Sequence, residues 1–131
     1  MLKRGYIYSV KDYDNNPHKI VVMEDYDGVS SRIKAVAFTH DEKGTSKHPN
    51  KPINKEFFVE NDENGNPYKF QWEYLGVGRS TSIILHGFDK IVINIKQREI
   101  GQITENGLKW IEEHVEKYII CDVDIKTDSQ S

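Results

Sequence analysis

The chain is poor in the residues that build covalent or metal-held scaffolds. It has one cysteine, Cys121, among 131 residues, so no disulfide can form within it. Cys-x-x-Cys, His-Glu-x-x-His and a glycine-rich phosphate loop are all missing. His18, His40, His48, His86 and His114 follow no metal-ligand spacing. Gly76-Val77-Gly78 has neither the third glycine of a dinucleotide fingerprint nor a helical pattern after it. There is no nucleophile elbow. No apolar run approaches the roughly 20 residues that span a bilayer. Met1-Leu2-Lys3-Arg4 leads straight into Gly5-Tyr6-Ile7-Tyr8, without the apolar core of a secretion signal. These absences predict a soluble cytoplasmic chain with no metal, no cofactor and no membrane partner.

What is present is an ordinary globular composition: 37% hydrophobic, 30% charged and 11% aromatic residues. At this length it predicts one domain that buries its own core. The formal charge of −3 argues against a protein that coats nucleic acid, but leaves room for a local basic patch. One candidate patch holds Lys43, Lys47, Lys51 and Lys55 with His48, against Asp41 and Glu42.

Strand patterns dominate. Residues 4–10, 18–24, 32–39, 53–60, 68–74, 81–86 and 90–96 read as strands, separated by turn-rich segments such as Lys11 to Pro17 and Asn61 to Pro67. Ile20-Val21-Val22 is a continuous β-branched run, which suits a strand covered on both faces. Tyr68, Phe70, Trp72 and Tyr74 alternate with Lys69, Gln71 and Glu73, the sharpest period-two pattern in the chain. It predicts an aromatic face used in a core or dimer contact. A helix comes last: Thr104 is its candidate N-cap, and Leu108, Ile111, Val115, Tyr118 and Ile119 recur at helical spacing. The expectation is an α+β domain over residues 1–121, a strongly curved antiparallel barrel-like sheet covered by a C-terminal helix. A polar tail then follows over 122–131.

Three segments, in order, resemble PemK/MazF toxins. Gly5-Tyr6-Ile7-Tyr8 is followed by a loop and then Pro17-His18-Lys19-Ile20-Val21-Val22. Ala35-Val36-Ala37-Phe38-Thr39-His40 resembles that family's apolar strand ending in Thr. Ser82-Ile83-Ile84-Leu85, then Ile100-Gly101-Gln102-Ile103-Thr104, resembles its Ser-bearing strand and the lead-in to its last helix. The likeness covers most of residues 5–119, with a gap over 41–80. It implies an SH3-like barrel, a homodimer, and metal-free cleavage of single-stranded RNA held in check by an antitoxin protein. The family's Arg before the Pro is absent; His18 or Lys19 occupies that neighbourhood.

Metal-free RNA cleavage uses the ribose 2′-OH as nucleophile. It needs a base for that proton, an acid for the leaving 5′-oxygen, and donors for the phosphate oxygens. Histidine suits the proton transfers, while a cation and a hydroxyl suit the phosphate. The resemblance assigns His18 as acid or base, Thr39 as a phosphate contact and Ser82 as its support. His40 and His86 are candidates for the complementary acid–base role. Lys19, Lys43 and Lys47 are the candidate RNA contacts. Two other functions fit the same barrel: a non-catalytic binding module and a poison of DNA gyrase.

Overall fold

A computed structural model describes residues 2–41, 43–44, 49–88 and 90–125. The candidate RNA contact Lys47, with His48 beside it, lies outside the described residues. Among the described residues eight strands form one sheet: β1 (Tyr6–Asp12), β2 (Pro17–Val22), β3 (Arg32–Thr39), β4 (Lys51–Pro52), β5 (Ser82–Ile83), β6 (Ile91–Asn94), β7 (Gly101–Gln102) and β8 (Ile119–Asp124). Five of them close on themselves, because β1 pairs with β2, β2 with β3, β3 with β8, β8 with β6 and β6 with β1. The result is a closed five-stranded barrel. The remaining strands, β4, β5 and β7, extend it.

Period-two alternation explains how the barrel fills. Tyr8 and Val10 of β1, Ile20 and Val22 of β2, and Ile33, Ala35 and Ala37 of β3 turn inward. Ile91, Ile93, Ile119 and Cys121 complete that interior cluster. The intervening residues Ile7, Val21, Met23, Val36 and Phe38 face outward into a second core. The Ile20-Val21-Val22 run is therefore fully buried on both faces, as its composition predicts. Burying each such side chain contributes about 1.5–3 kcal/mol.

The second core is roofed by two helices, α1 (Lys69–Glu73) and α2 (Glu105–His114). Thr104 caps α2: its Oγ1 accepts the Gly107 amide at 3.1 Å. Gly107 is required by packing, since a Cβ there would lie 2.6 Å from Ile103 Cγ1 and 2.8 Å from Phe57 Cβ.

Several expected elements differ. The helix is not the last element. It ends at His114, and Ile119 opens β8 instead of closing a helical face. Tyr118 and Ile119 keep the i+3/i+4 spacing, but Ile119 and Cys121 also alternate, and filling the barrel decides in favour of the strand. Cys121 thus lies in a strand rather than near the helix end; burial pushes its thiol up to about 12. Asp122 to Asp124 belong to the sheet and not to a tail, while residues 126–131 lie outside the described residues.

Nor is the sheet wholly antiparallel: β6 and β8 run parallel. A parallel pair needs a long crossover, and the segment carrying α2 supplies it. Residues 53–60 form no strand. Asn54 accepts the Glu56 amide at 2.9 Å and starts a 3-10 turn over Lys55–Phe57. Tyr68 to Tyr74 likewise forms no strand: Lys69–Glu73 is the helix α1, with Tyr68 and Tyr74 as its caps. The Phe70 and Tyr74 rings, one turn apart, stack at 4.9 Å and 15°, so the i,i+4 aromatic contact prevails over the i,i+2 alternation. Phe70 is buried, while Trp72 is 55% exposed. No helix is long and apolar enough to cross a membrane, among the described residues.

Candidate functional site

A cleft of about 750 Å³ opens where the barrel meets the α1 segment. One wall is strand: Pro17, His18 and Lys19 from β2, with Phe38 and Thr39 from β3 and His40 and Asp41 just after it. The other wall is Glu73, Tyr74 and Arg79, from the end of α1 and the turn beyond it. Ile84 completes the lining.

Strand register builds the first wall. Lys19 pairs with Phe38, and continuing that register by one residue sets His18 opposite Thr39. Thr39 in turn pairs with Ser82 of β5. His18, Thr39 and Ser82 thus stand in one row across three neighbouring strands, which lie about 4.8 Å apart. His18 and Thr39 line the cleft. Ser82 does not: it is fully buried between β3 and β4, and neither its Oγ nor that of Thr81 has a hydrogen-bond partner among the described residues.

Both cleft histidines have one ring nitrogen committed. His18 Nε2 lies 2.9 Å from Asp12 Oδ2, with the side chain 24% exposed and that of Asp12 17% exposed. A carboxylate only accepts, so Nε2 carries the proton, and Nδ1 is left open, with no hydrogen-bond partner among the described residues. The Phe88 ring packs at 5.0 Å on His18. His40 repeats the pattern with a different partner. Its Nε2 lies 3.1 Å from the Tyr74 carbonyl oxygen, and its ring stacks on that of Tyr74 at 3.9 Å. Nδ1 is again the open nitrogen.

Thr39, Lys19 and Arg79 also contribute to the lining. Thr39 Oγ1 accepts the Asp41 amide at 3.0 Å, which leaves its own O–H to donate outward. Lys19 Nζ donates to Ser9 Oγ at 3.0 Å and forms no ion pair among the described residues. Arg79 is exposed and equally without an ion pair there. Burial pushes the Tyr74 hydroxyl up to about 12, opposed by the Arg79 cation. Asp12 is held down to about 2, chiefly by its hydrogen bond to His18 and next by the Asn16 amide.

Two candidates stand elsewhere. Half-buried His86 bridges to Lys117 and does not line the cleft. Lys43 is exposed and outside the lining; its amide donates to Asp41 Oδ1 at 3.0 Å. Sequence reasoning missed Asp12, Tyr74 and Arg79. Asp12 had a signal, because an Asp opening a turn six residues before a His is placed to meet it across the hairpin. Tyr74 and Arg79 had none, since both reach the cleft through a helical turn that the alternation disguised. Searches against protein-family models, curated proteins and solved structures found no match.

Proposed function

We propose that the protein is a single-strand-specific endoribonuclease that cleaves by attack of the ribose 2′-OH on the adjacent phosphate. One observation carries this reading: the cleft has two histidines, each with Nε2 committed and Nδ1 open, beside a hydroxyl and two cations free of ion pairs among the described residues. Such a set contains each type of group that the reaction calls for. One imidazole takes the 2′-proton and the other protonates the leaving 5′-oxygen. Thr39, Lys19 and Arg79 stabilise the charge that develops on the phosphate. In this reading Arg79 supplies the guanidinium that the β2 segment lacks.

The resemblance to PemK/MazF toxins adds the finer expectations. The five-stranded ring corresponds to an SH3-like barrel, the working form is a homodimer, and an antitoxin protein neutralises the activity in the cytoplasm. Ser82 acts through Thr39, its cross-strand neighbour, rather than on substrate.

The test is a long, mixed-sequence single-stranded RNA incubated with purified protein in EDTA, beside a His18→Ala, Thr39→Ala double variant. Discrete cleavage by wild type alone supports the reading. Equal background with both proteins at high concentration sinks it in favour of a binding module or a gyrase poison.

A further inference from the structure

Resting on the ribonuclease reading for its use, but not for its geometry, a second role emerges at the β1–β2 turn. We propose that Asp12 is a positioning residue whose carboxylate fixes the tautomer and orientation of the His18 ring, making Nδ1 the atom presented to substrate.

The two oxygens of Asp12 divide their work. Oδ1 accepts the backbone amides of Asp14 and Asn16, each at 2.9 Å. Oδ2 accepts from the His18 ring at 2.9 Å and from Asn16 Nδ2 at 3.3 Å. The turn is closed further by the Asp12 amide on the Asn16 carbonyl at 3.0 Å, with Asn15 in the left-handed region at φ 66. Asp12 is thus anchored by the turn before it meets the ring. Its carboxylate has no choice of direction, and the ring is held between it and Phe88.

The backbone amides of the turn need only Oδ1, and the Asn16 side chain reaches Oδ2 at the longer distance of 3.3 Å. Oδ2 aimed at an imidazole that lines this cleft is the feature a turn does not explain. A carboxylate behind a working histidine selects the tautomer and steadies the ring when it becomes charged. Asp12 itself does not line the cleft, so it acts through His18 and touches no substrate.

Asp12→Asn separates the two jobs. The amide oxygen can still receive both turn amides, while Nδ2 now offers a donor to a ring nitrogen that also carries hydrogen. The ring escapes that clash by moving its proton to Nδ1. The readout is a long-range proton–nitrogen correlation spectrum of the full chain labelled on histidine, recorded above the titration range, with steady-state RNA cleavage measured alongside. Asn16→Ala is the control that disturbs the turn and keeps Oδ2 on the ring.

The expected result is an Nε2–H ring in wild type and Asn16→Ala. Asp12→Asn should give an Nδ1–H or mixed ring, with kcat reduced by more than about 10-fold and KM changed much less. A wild-type Nδ1–H ring, or an unchanged ring and kcat in Asp12→Asn, overturns the inference. Absence of cleavage by wild type overturns the ribonuclease reading instead, and the spectra then decide the Asp12–His18 coupling by themselves.

Discussion

The two walls of the cleft are built by different means. The barrel wall hangs on continuous strand pairing: β2 is hydrogen-bonded on both sides, to β1 and β3, and its apolar residues are buried on both faces. The inserted wall rests on a five-residue helix, a 3-10 turn over Leu75–Val77 and Gly78 in the left-handed conformation at φ 75. What holds that wall in place is the ring cluster beneath it, where Phe70 packs against Phe38 and Phe58 at 5.5 and 5.4 Å and stacks on Tyr74. Groups that must be placed to a fraction of an ångström belong on the rigid wall, and His18 and Thr39 are there. A charge that only has to reach a phosphate tolerates a looser mount, and Arg79 has one.

The largest expected effect breaks the chemistry on the rigid wall. His18→Ala should lower kcat on single-stranded RNA by about 10²–10⁴-fold, and losing the Asp12 bond should lower the thermal midpoint modestly while the fold survives, because the ring lies outside both buried core clusters. Single-turnover cleavage with a thermal melt beside it checks both halves. Next comes the support of the inserted wall. Phe70→Ala should cost about 3–5 kcal/mol, read from urea denaturation. A cost below about 1 kcal/mol would mean that the ring cluster does not hold α1.

A smaller effect sharpens the division of labour. Arg79→Ala removes charge-assisted bonds that contribute about 1.5–3 kcal/mol, so cleavage efficiency should fall by about 10–100-fold and become less sensitive to added salt. Arg79→Lys should restore part of it. Unaltered salt dependence would remove Arg79 from the phosphate. Smaller again is Gly101→Ala. Its Cβ would lie 2.9 Å from Phe70 Cβ and 3.2 Å from Ile7 Cδ1, an overpacking that should cost about 1–3 kcal/mol and tilt the inserted wall without touching His18.

The last prediction concerns pH. Asp12 sits at about 2 in the folded chain against an ordinary value of 3.8. A depressed carboxylate adds stability that is complete above the unfolded value and lost as pH falls from about 3.8 toward about 2. Circular dichroism through that window should show acid destabilisation that is shallower in Asp12→Asn. Parallel curves would show that Asp12 has no such depression.

The same division decides how much was legible beforehand. β3 was readable to the residue because Ile33, Ala35 and Ala37 supply one apolar face and Val36 and Phe38 the other over a long run. His18, Lys19, Thr39 and His40 follow from it, since they are the ends of β2 and β3. The inserted wall was misread because five residues cannot distinguish period two from one helical turn, and because Phe70 and Tyr74 satisfy both. β8 was hidden for a related reason. Ile119 continues the helical spacing of α2, and only the need to close the barrel between β3 and β6 assigns it to a strand. Burial of Ser82 also escaped notice, because nothing local marks the short β4 that pairs with it.

In the proposed reaction the open nitrogens of the cleft drive attack by the 2′-hydroxyl. The direct measurement is the end chemistry of a single-stranded RNA cut in EDTA, beside the same strand carrying one 2′-deoxy residue on the 5′ side of the scissile phosphate. A 2′,3′-cyclic phosphate and a 5′-hydroxyl, with no cutting of the deoxy strand at that position, is the predicted result. Cleavage of the deoxy strand there, products with 3′-hydroxyl and 5′-phosphate ends, or no cleavage of either strand would contradict it.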